Sequence, residues 1–291
     1  MAREFRLEVK GLSFWYGHHH GRGHEPTGRS GSGASTASAD RGRHAAHATP
    51  APLVLDDVGF GIRAGTVTTV LGANGSGKST LFHLMSKNLP VKDGGIFFEG
   101  TDIRKIGLRD YARKLSIVHQ ANPTFGDVTV ETLVSYGRTP FLSFFEKAGD
   151  EDGRIIERAM DIADVADFRD RKLSSLSGGQ RQRVWIAMAL AQDTDTMLLD
   201  EPTTWLDIKY QVEILRLIRR LNEEYGVTIV MVLHDINQAM RYSDEIIGLK
   251  DGRVAARGAP EDVVTPDFIE EIYGVRLDMP ETAGGRFVLQ L

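Results

Sequence analysis

The chain has 291 residues, a hydrophobic content of 41% and a formal net charge of −5, enough for one large domain or for a catalytic core with a smaller subdomain. The absence of cysteine excludes disulfides and thiolate metal sites, and the acidic balance disfavours a dedicated nucleic-acid binder. No segment approaches the roughly 18–20 apolar residues of a membrane helix, and charged residues within positions 3–6 argue against a signal peptide. We therefore expect this chain to contact a membrane only through partners.

The first predicted elements are two short β-strands, followed by a polar tract. Residues 5–9 alternate apolar and polar side chains, and residues 12–16 are rich in aromatics. Residues 17–52 then combine small and polar residues with six of the nine histidines. Such a composition cannot bury enough surface to offset the ordering entropy, so we predict a disordered low-complexity insertion between two strands. A histidine metal site is the weaker alternative, because no thiol or carboxylate framework accompanies it.

A phosphate-binding loop is predicted next. Residues 72–79 fit the pattern G-x-x-x-x-G-K-[ST] between an apolar strand, residues 67–71, and a helical run, residues 80–85. The glycines let backbone N–H groups turn toward a polyphosphate, and the following helix presents its positive end to the same anion. Lys78 is expected to reach the β- and γ-phosphates, and the Ser79 hydroxyl to ligate Mg²⁺. The predicted nucleotide-binding residues of this loop are Gly72, Asn74, Gly75, Ser76, Gly77, Lys78, Ser79 and Thr80.

The middle of the chain combines a short strand with a helical region. Residues 115–119 read as a strand that ends at Gln120. Residues 121–175 look helical, with an amphipathic helix predicted over residues 154–168. Aromatic side chains in this region could pack in its core, and one or two could line a docking groove; they are Phe125, Tyr136, Phe141, Phe144 and Phe145.

A second motif opens another helix. Residues 176–180 read Leu-Ser-Gly-Gly-Gln and lead into a helical run at residues 181–191. An apolar strand at residues 197–199 then ends in the acids Asp200 and Glu201.

The last third alternates helices and strands. A helix is predicted over residues 207–225, followed by a near-continuously apolar strand at residues 227–233, as expected of a buried parallel strand. That strand delivers His234 at its carboxyl end, where ligands bind in open α/β sheets. Two helices, at residues 236–242 and 266–273, flank two further strands that begin at Ile246, and a tail, residues 274–291, is too short for a separate regulatory domain.

The order of these motifs resembles that of the ATP-binding subunits of ABC transporters, from about Leu7 to Tyr273. The resemblance implies an α/β P-loop NTPase fold: an ABC ATPase core with a mostly parallel sheet, an N-terminal antiparallel β subdomain and an inserted α-helical subdomain. The ATPase domain would span residues 5–273, with the helical subdomain at residues 121–175. By the same resemblance Tyr16 stacks on adenine, with Trp15 as the alternative.

The resemblance also assigns roles in ATP hydrolysis. Asp200 would hold Mg²⁺ through its water shell, Gln120 would contact the metal or its water, and Glu201 would act as general base on the attacking water. Because side chains alternate along a strand, the two carboxylates are expected to face opposite sides. His234 would touch the γ-phosphate and order the water, although a core histidine with a satisfied hydrogen bond is an alternative.

No arginine finger is evident within the chain, and the second motif supplies a substitute. Its serine and backbone N–H groups lie at a helix N-terminus, a ready anion site. In the family two subunits pair head to tail, and each signature motif closes over the partner's ATP, with the stretch 203–207 crossing the interface. A homodimer is therefore implied, with nucleotide contacts from Ser177, Gly178, Gly179, Gln180 and Asp207.

Several short sequence stretches are similar to those of the ATP-binding subunits of iron–siderophore importers. The stretches 136–140, 200–208 and 233–239 carry this resemblance, and Trp205 is similar to the ferric enterobactin branch. Haem and cobalamin importers share much of this local sequence and remain the alternative. A non-transport ABC ATPase is a more distant alternative. The implied partners are two integral-membrane permease subunits and, indirectly, an extracytoplasmic siderophore-binding protein. The implied location is the cytoplasmic face of the membrane.

Overall fold

The computed structural model describes residues 5–17, 52–120, 122, 127–142, 149–282 and 285–289. The predicted insertion at residues 17–52 therefore lies almost wholly outside the described residues, as do Phe125, Phe144 and Phe145.

The strands of the described residues form two main sheets and a small hairpin. They are β1 (Phe5–Phe14), β2 (Leu55–Arg63), β3 (Val67–Leu71), β4 (Asp93–Phe98), β5 (Thr101–Asp102), β6 (Ser116–Val118), β7 (Thr196–Asp200), β8 (Thr228–Val232), β9 (Glu245–Lys250), β10 (Arg253–Gly258), β11 (Glu281–Thr282) and β12 (Gly285–Arg286). The first sheet has the antiparallel order β2-β1-β4-β5, and the second has the order β10-β9-β3-β8-β7-β6. In the second sheet only β10 runs antiparallel to its neighbour among the described strands, so the predicted fold class is confirmed.

The two segments predicted at the N-terminus form one irregular strand. One of the register shifts in β1 lies between Val9 and Leu12, around Gly11, which has φ +54°. Leu7 and Val9 point into the core before the irregularity, and Leu12 and Phe14 after it. A strand without an extra residue would turn the second pair outward, because side chains alternate with a period of two. The bulge therefore keeps both halves of β1 on the same core.

The helices are α1 (Lys78–Met85), α2 (Leu108–Ala112), α3 (Val130–Ser135), α4 (Asp150–Ile162), α5 (Gly178–Ala191), α6 (Ile208–Tyr225), α7 (Ile236–Tyr242), α8 (Pro260–Val263) and α9 (Pro266–Tyr273). The helices predicted over residues 207–225, 236–242 and 266–273 correspond to α6, α7 and α9, and their bounds agree within one residue. The prediction of one helix over residues 154–168 is wrong at both ends, because α4 begins four residues earlier and ends six residues earlier. Helix α4 stops at Ile162 because Asp164 has φ +55°, a left-handed conformation that cannot continue an α-helix.

The parallel sheet is buried on both faces. Alternate residues of β8 enter two different cores: Ile229 and Met231 join the cluster around α5 and α6, whereas Val230 and Val232 join the cluster shared with α1 and the antiparallel sheet. Double-sided burial explains the continuously apolar sequence of this strand. Helix α1 lies between the two sheets, which fixes the loop that precedes it.

The C-terminal tail packs back onto the domain. Val288 is 2% exposed, and its backbone exchanges two hydrogen bonds with the Asn237 side chain of α7, at 3.0 and 2.7 Å. Here a side-chain amide pairs with the backbone much as a neighbouring strand would.

We predict opposite stability effects for alanine at two glycines of the helical region. A Cβ at Gly137 would lie 2.2 Å from the Met188 carbonyl of α5, so Gly137→Ala must push the Tyr136–Arg138 turn away from that helix. The expected loss is about 1–3 kcal/mol of unfolding free energy. A Cβ at Gly153, inside α4, meets nothing within 4 Å, so Gly153→Ala should stabilise the chain by up to about 1 kcal/mol.

Urea titration of the two variants beside the parent chain measures both changes. A stable Gly137→Ala protein would show that this turn does not pack closely on α5.

Candidate functional site

The loop at residues 72–79 follows β3 and enters α1 along a path that glycine permits. Gly75 and Gly77 have φ +80° and +102°, and Gly77 is the N-cap of α1. A Cβ at Gly72 would lie 2.4 Å from the Leu249 carbonyl, and one at Gly77 would lie 2.6 Å from the Leu55 side chain. The loop is thus compressed against two neighbouring segments while the N-terminus of α1 points out of it. Backbone N–H groups and the helix dipole make this a favourable place for an anion.

The Lys78 ammonium lies inside this loop. It donates hydrogen bonds to the carbonyls of Gly72 and Ala73, at 2.8 and 2.9 Å, and the residue is 6% exposed. Burial lowers the pKa of Lys78, while the negative charges of Glu201 and Asp200 oppose that shift. The cation is therefore held where the loop and the two acids meet.

The Glu201 carboxylate is the point at which two predicted residues, His234 and Gln120, converge with Thr204. Its Oε1 lies 2.5 Å from His234 Nε2, and its Oε2 accepts a bond of 2.5 Å from Gln120 Nε2. The Thr204 hydroxyl donates to the same Oε2 at 3.0 Å. The structure thus brings together side chains that follow β6, β7 and β8.

The backbone at Glu201 differs from the expectation. Strand β7 ends at Asp200, and Glu201 has φ +48°, outside the extended region. The argument from alternation along a strand therefore does not apply to this pair. A left-handed turn, rather than the pleat, sends Glu201 toward His234 while Asp200 stays buried.

Asp200 is a buried acid with an unpartnered oxygen. Its residue is 6% exposed, and Oδ1 has no hydrogen-bond partner among the described residues. Burial, with a smaller contribution from Glu201, raises the pKa of Asp200 to about 6. An unpartnered carboxylate oxygen beside a second acid is a donor set that suits a hard divalent cation.

Lys78, Gln120, Glu201 and His234 line one cleft with a volume of about 560 Å³, whereas Asp200, Gly72, Ser76 and Tyr16 are not among its lining residues. Its predicted lining residues are Asn74, Gly75, Gly77, Lys78, Ser79, Thr80, Gln120, Glu201 and His234. Val54, Thr204 and Trp205 also line it. Sequence reasoning placed Thr204 only in the interface stretch 203–207 and gave Val54 no role. Val54 directly precedes β2, and its distance from the loop is set by tertiary packing.

Tyr16 and Trp15 have different surroundings. The Tyr16 hydroxyl is 3.1 Å from Thr80 Oγ1, at the start of α1, and its ring packs edge-on against Phe14. Trp15 instead contacts Lys92, which donates to its carbonyl at 2.7 Å and lies over its ring. Of the two aromatics, Tyr16 is therefore the one in contact with the phosphate-loop helix.

The second motif lies elsewhere on the surface. Ser177 is the N-cap of α5: its Oγ accepts from the Gln180 N–H at 3.3 Å, and Gln180 Oε1 accepts from the Ser177 N–H at 3.0 Å. A Cβ at Gly179 would lie 2.2 Å from the Tyr210 ring, so this glycine allows α5 to approach α6. Ser177 and Gly178 are exposed, and no residue of the motif is part of the cleft lining described above. Within one chain the motif and the phosphate loop remain separate.

Asp207 lies at the start of α6, where its Oδ1 accepts from the Tyr210 N–H at 3.1 Å. Beside it, Trp205 is 91% exposed and Ile208 is 80% exposed. Two large apolar side chains this exposed within four residues make the turn a candidate surface for contact with a partner.

Comparison with known proteins adds sequence relatives and a solved structure. A family model described as "ABC transporter" matches residues 55–204. The iron(3+)-hydroxamate import ATP-binding protein FhuC of Bacillus subtilis (strain 168) is 44% identical over 77% of this chain and 83% of its own length. The ferric enterobactin transport ATP-binding protein FepC of Escherichia coli (strain K12) is 43% identical over 77% of this chain and 82% of its own. The dimeric structure of MJ0796, a bacterial ABC transporter cassette, superposes with a TM-score of 0.67 and 26% identity, covering 87% of this chain and 98% of that one.

Across the part of the chain that the structure describes, every helix is too short or too polar to cross a membrane.

We predict that Asp200→Asn stabilises the metal-free chain at neutral pH. The folded state holds the Asp200 proton more tightly than the unfolded state, so stability falls as the pH rises from the ordinary pKa of 3.8 through about 6. Each pH unit between the two pKa values corresponds to about 1.4 kcal/mol, so asparagine should gain up to about 3 kcal/mol above pH 6 and little below pH 4. Urea titrations in EDTA at pH 4 and pH 7.5 measure this difference.

The exposed Asp170 provides the matched control, since Asp170→Asn should change stability little at either pH. An Asp200→Asn protein that is less stable than the parent at pH 7.5 would mean that the buried carboxylate contributes favourable interactions that outweigh its desolvation.

Proposed function

This chain belongs to the ABC transporter family, and from that premise we propose that it is the ATP-hydrolysing subunit of an importer of iron(III)–siderophore complexes. The relatives named above, both import or transport ATP-binding proteins for iron complexes, support the cargo class. One observation carries the enzymatic part. The Glu201 carboxylate is fixed between His234 and Gln120 in the cleft that the phosphate loop also lines.

ATP would bind with its phosphates on the loop at residues 72–79. Backbone N–H groups, the N-terminus of α1 and the Lys78 ammonium supply the positive potential, and the glycines leave room for close approach. Tyr16 would stack on adenine, because its hydroxyl already reaches Thr80 at the start of α1. Thr80 itself would border the phosphates.

A magnesium ion fits the acids at the end of β7. Asp200 offers a buried Oδ1 with no partner among the described residues, and the oxygens of Ser79 and Gln120 line the neighbouring cleft. These three residues would hold the ion, with Asp200 acting through bound water. When bound, Mg²⁺ would neutralise charge on the phosphate oxygens.

Hydrolysis would transfer a proton from water to Glu201. Oε2 of this carboxylate already accepts from Gln120 and Thr204, whereas Oε1 accepts, among the described residues, from His234 alone. A carboxylate oxygen has two lone pairs, so Oε1 is the atom with capacity to take the proton. The water oxygen then bonds to the γ-phosphorus as the bridging P–O bond to ADP breaks. His234 would orient Oε1 and the water, and Lys78 would stabilise the charge on the transferred group.

The complete site would require a second copy of the chain. Ser177, Gly178, Gly179 and Gln180 lie at an exposed helix N-terminus, away from the phosphate loop of the same chain. In a head-to-tail homodimer this N-terminus would cap the partner's ATP, and Asp207, Trp205 and Ile208 would be covered at the interface. The high exposure of Trp205 and Ile208 supports this arrangement.

The remaining partners would be two permease subunits, with a siderophore-binding protein on the far side of the membrane. Leu108 and Tyr136 are 69% and 47% exposed. Leu108 begins α2, and Arg109 of the same helix donates to the Pro140 carbonyl, four residues after Tyr136. The two exposed side chains are therefore candidates for the docking surface. Phe141, in contrast, lies under the Arg138 guanidinium at 4.1 Å from its ring centre. This dimer would sit on the cytoplasmic face of the membrane.

We predict that Glu201→Gln binds ATP normally but hydrolyses it at least about 10²-fold more slowly, because the amide cannot accept the proton of the attacking water. A dimer closed on two nucleotides should then accumulate, measurable by size exclusion with and without ATP. In a strain that lacks this chain, the parent sequence should restore growth on a ferric siderophore as the sole iron source, and the variant should not. Near-normal turnover by Glu201→Gln would remove this residue from the mechanism.

We predict complementation between two inactive variants. Ser177→Arg blocks the signature motif and Lys78→Ala weakens the phosphate site, so each homodimer should lack activity. In a head-to-tail heterodimer one site carries both lesions and the other carries none, so mixing the variants should restore part of the activity, measured as phosphate release. If strict coupling between sites prevents turnover, the mixture should still dimerise with ATP. If mixing restores no activity and yields no ATP-dependent dimer, that result contradicts the head-to-tail arrangement.

A further inference from the structure

Three side chains beside the cleft form a directed chain of hydrogen bonds. The Thr203 hydroxyl donates to Gln238 Oε1 at 3.1 Å, and Gln238 Nε2 donates to Gln211 Oε1 at 2.8 Å. Gln211 Nε2 then donates to the Leu206 carbonyl at 2.9 Å. Each of the two amides uses its oxygen as an acceptor and its nitrogen as a donor, so the chain has one direction and its members are not interchangeable. We call Thr203, Gln238, Gln211 and the Leu206 carbonyl the amide relay.

The relay connects the catalytic segments with the exposed turn that precedes α6. Thr203 comes two residues after Glu201, and Gln238 lies on α7 four residues after His234. At its other end the relay reaches Leu206, next to the exposed Trp205. Through three side chains and one backbone carbonyl, it therefore joins the loop that carries the proposed general base, the helix that follows His234 and the surface proposed to meet a second subunit.

Backbone contacts within the turn are weak, which makes the relay important for its position. Glu201 and Trp205 bound the turn with φ +48° and +65°. A left-handed conformation at a non-glycine residue costs roughly 1–2 kcal/mol. The internal backbone bonds, Thr204 N to Glu201 O and Leu206 N to Thr203 O, are 3.2 and 3.4 Å long. Strained geometry of this kind persists only where surrounding contacts hold it, and the relay supplies such contacts.

We infer that Gln238 is a positioning residue for ATP hydrolysis, acting through the amide relay to link the Trp205–Leu206 turn with Glu201 and His234. The inference rests on the proposed function. When a second subunit covers Trp205, any shift of Leu206 pulls on Gln211, then on Gln238 and Thr203. The relay thereby holds the turn in the position at which the Glu201 carboxylate lies 2.5 Å from the His234 ring, the geometry seen in the single chain. Gln238 touches neither nucleotide nor water in this scheme, and it acts on the geometry of groups that do.

The test compares variants that break the relay at different bonds. Gln238→Leu keeps the side-chain size and removes both bonds, and Gln238→Glu keeps the acceptor for Thr203 but removes the donor to Gln211. Gln211→Glu keeps the acceptor for Gln238 and removes the donor to Leu206. The control is Asn237→Ala on the same helix, which removes the two bonds to Val288 and leaves the relay intact.

Steady-state kinetics provide the first measurement. Gln238→Leu should lower kcat for ATP about 10-fold while KM changes less than about 2-fold, because alignment rather than binding is lost. Gln211→Glu should show the same pattern. The double variant Gln238→Leu/Gln211→Glu should have a kcat no lower than that of either single variant, because both changes break the same relay. Gln238→Glu should lie between these variants and the parent. Asn237→Ala should lower the melting temperature but leave kcat within about 2-fold.

Amide hydrogen exchange provides a second measurement that does not depend on turnover. Gln238→Leu should speed exchange in residues 203–208 at least about threefold, whereas Asn237→Ala should do so in residues 285–289 instead. Unchanged exchange in residues 203–208 would overturn the relay, and faster exchange with an unchanged kcat would overturn its role in hydrolysis. A parent chain without ATP turnover would overturn the proposed function itself, while the exchange data would still decide whether the relay holds the turn.

Discussion

The parallel alignment of β3, β6, β7 and β8 is the constraint on which the rest of the site depends. Val70 of β3 and Asp200 of β7 both pair with Val232 of β8, and Val118 of β6 pairs with Leu199. The four strands therefore end within a residue or two of one another on the same edge. This register places the phosphate loop, Gln120, Glu201 and His234 around one cleft, although they are far apart in sequence. A one-residue slip of β8 would exchange the side chains that enter the two cores, so packing on both faces fixes the register and holds the site.

Groups of opposite charge meet at this edge, and one acidic oxygen among them has no hydrogen-bond partner within the described residues. Lys78 faces Asp200 and Glu201, and the N-terminus of α1 adds positive potential. Glu201 is held by three donors, whereas Asp200 keeps an oxygen without a partner among the described residues. The two neighbouring acids are therefore suited to different tasks, one to a cation and the other to a water. Their separation originates in a single left-handed backbone conformation at Glu201.

The N-termini of α1, α5 and α6 have different surroundings. The N-terminus of α1 points into the cleft of its own chain, while those of α5 and α6 lie at the exposed surface, capped by Ser177 and Asp207. In the proposed dimer the surface pair would complete a cleft on the partner. The same residues thus have a structural role in the single chain, as helix caps, and a proposed role between chains. The exposed Trp205 and the amide relay lie where these two roles meet.

The sequence by itself determined the fold class, most element positions and the grouping of Gln120, Glu201 and His234 near a phosphate loop. The element positions and the phosphate loop follow from short-range patterns, namely apolar periodicity and glycine spacing. The fold class and the grouping of the three side chains follow from the order of the motifs, which resembles that of ABC transporter ATP-binding subunits. Tertiary structure decided what those patterns cannot encode. The bulge near Gly11, the early end of α4 and the left-handed turn at Glu201 each depend on backbone angles that several residue types can adopt. Side-chain partnerships across long separations, such as Thr204 with Glu201 in one loop and Thr203 with Gln238 and Gln211 across three elements, arise only once packing has fixed the distances between those elements.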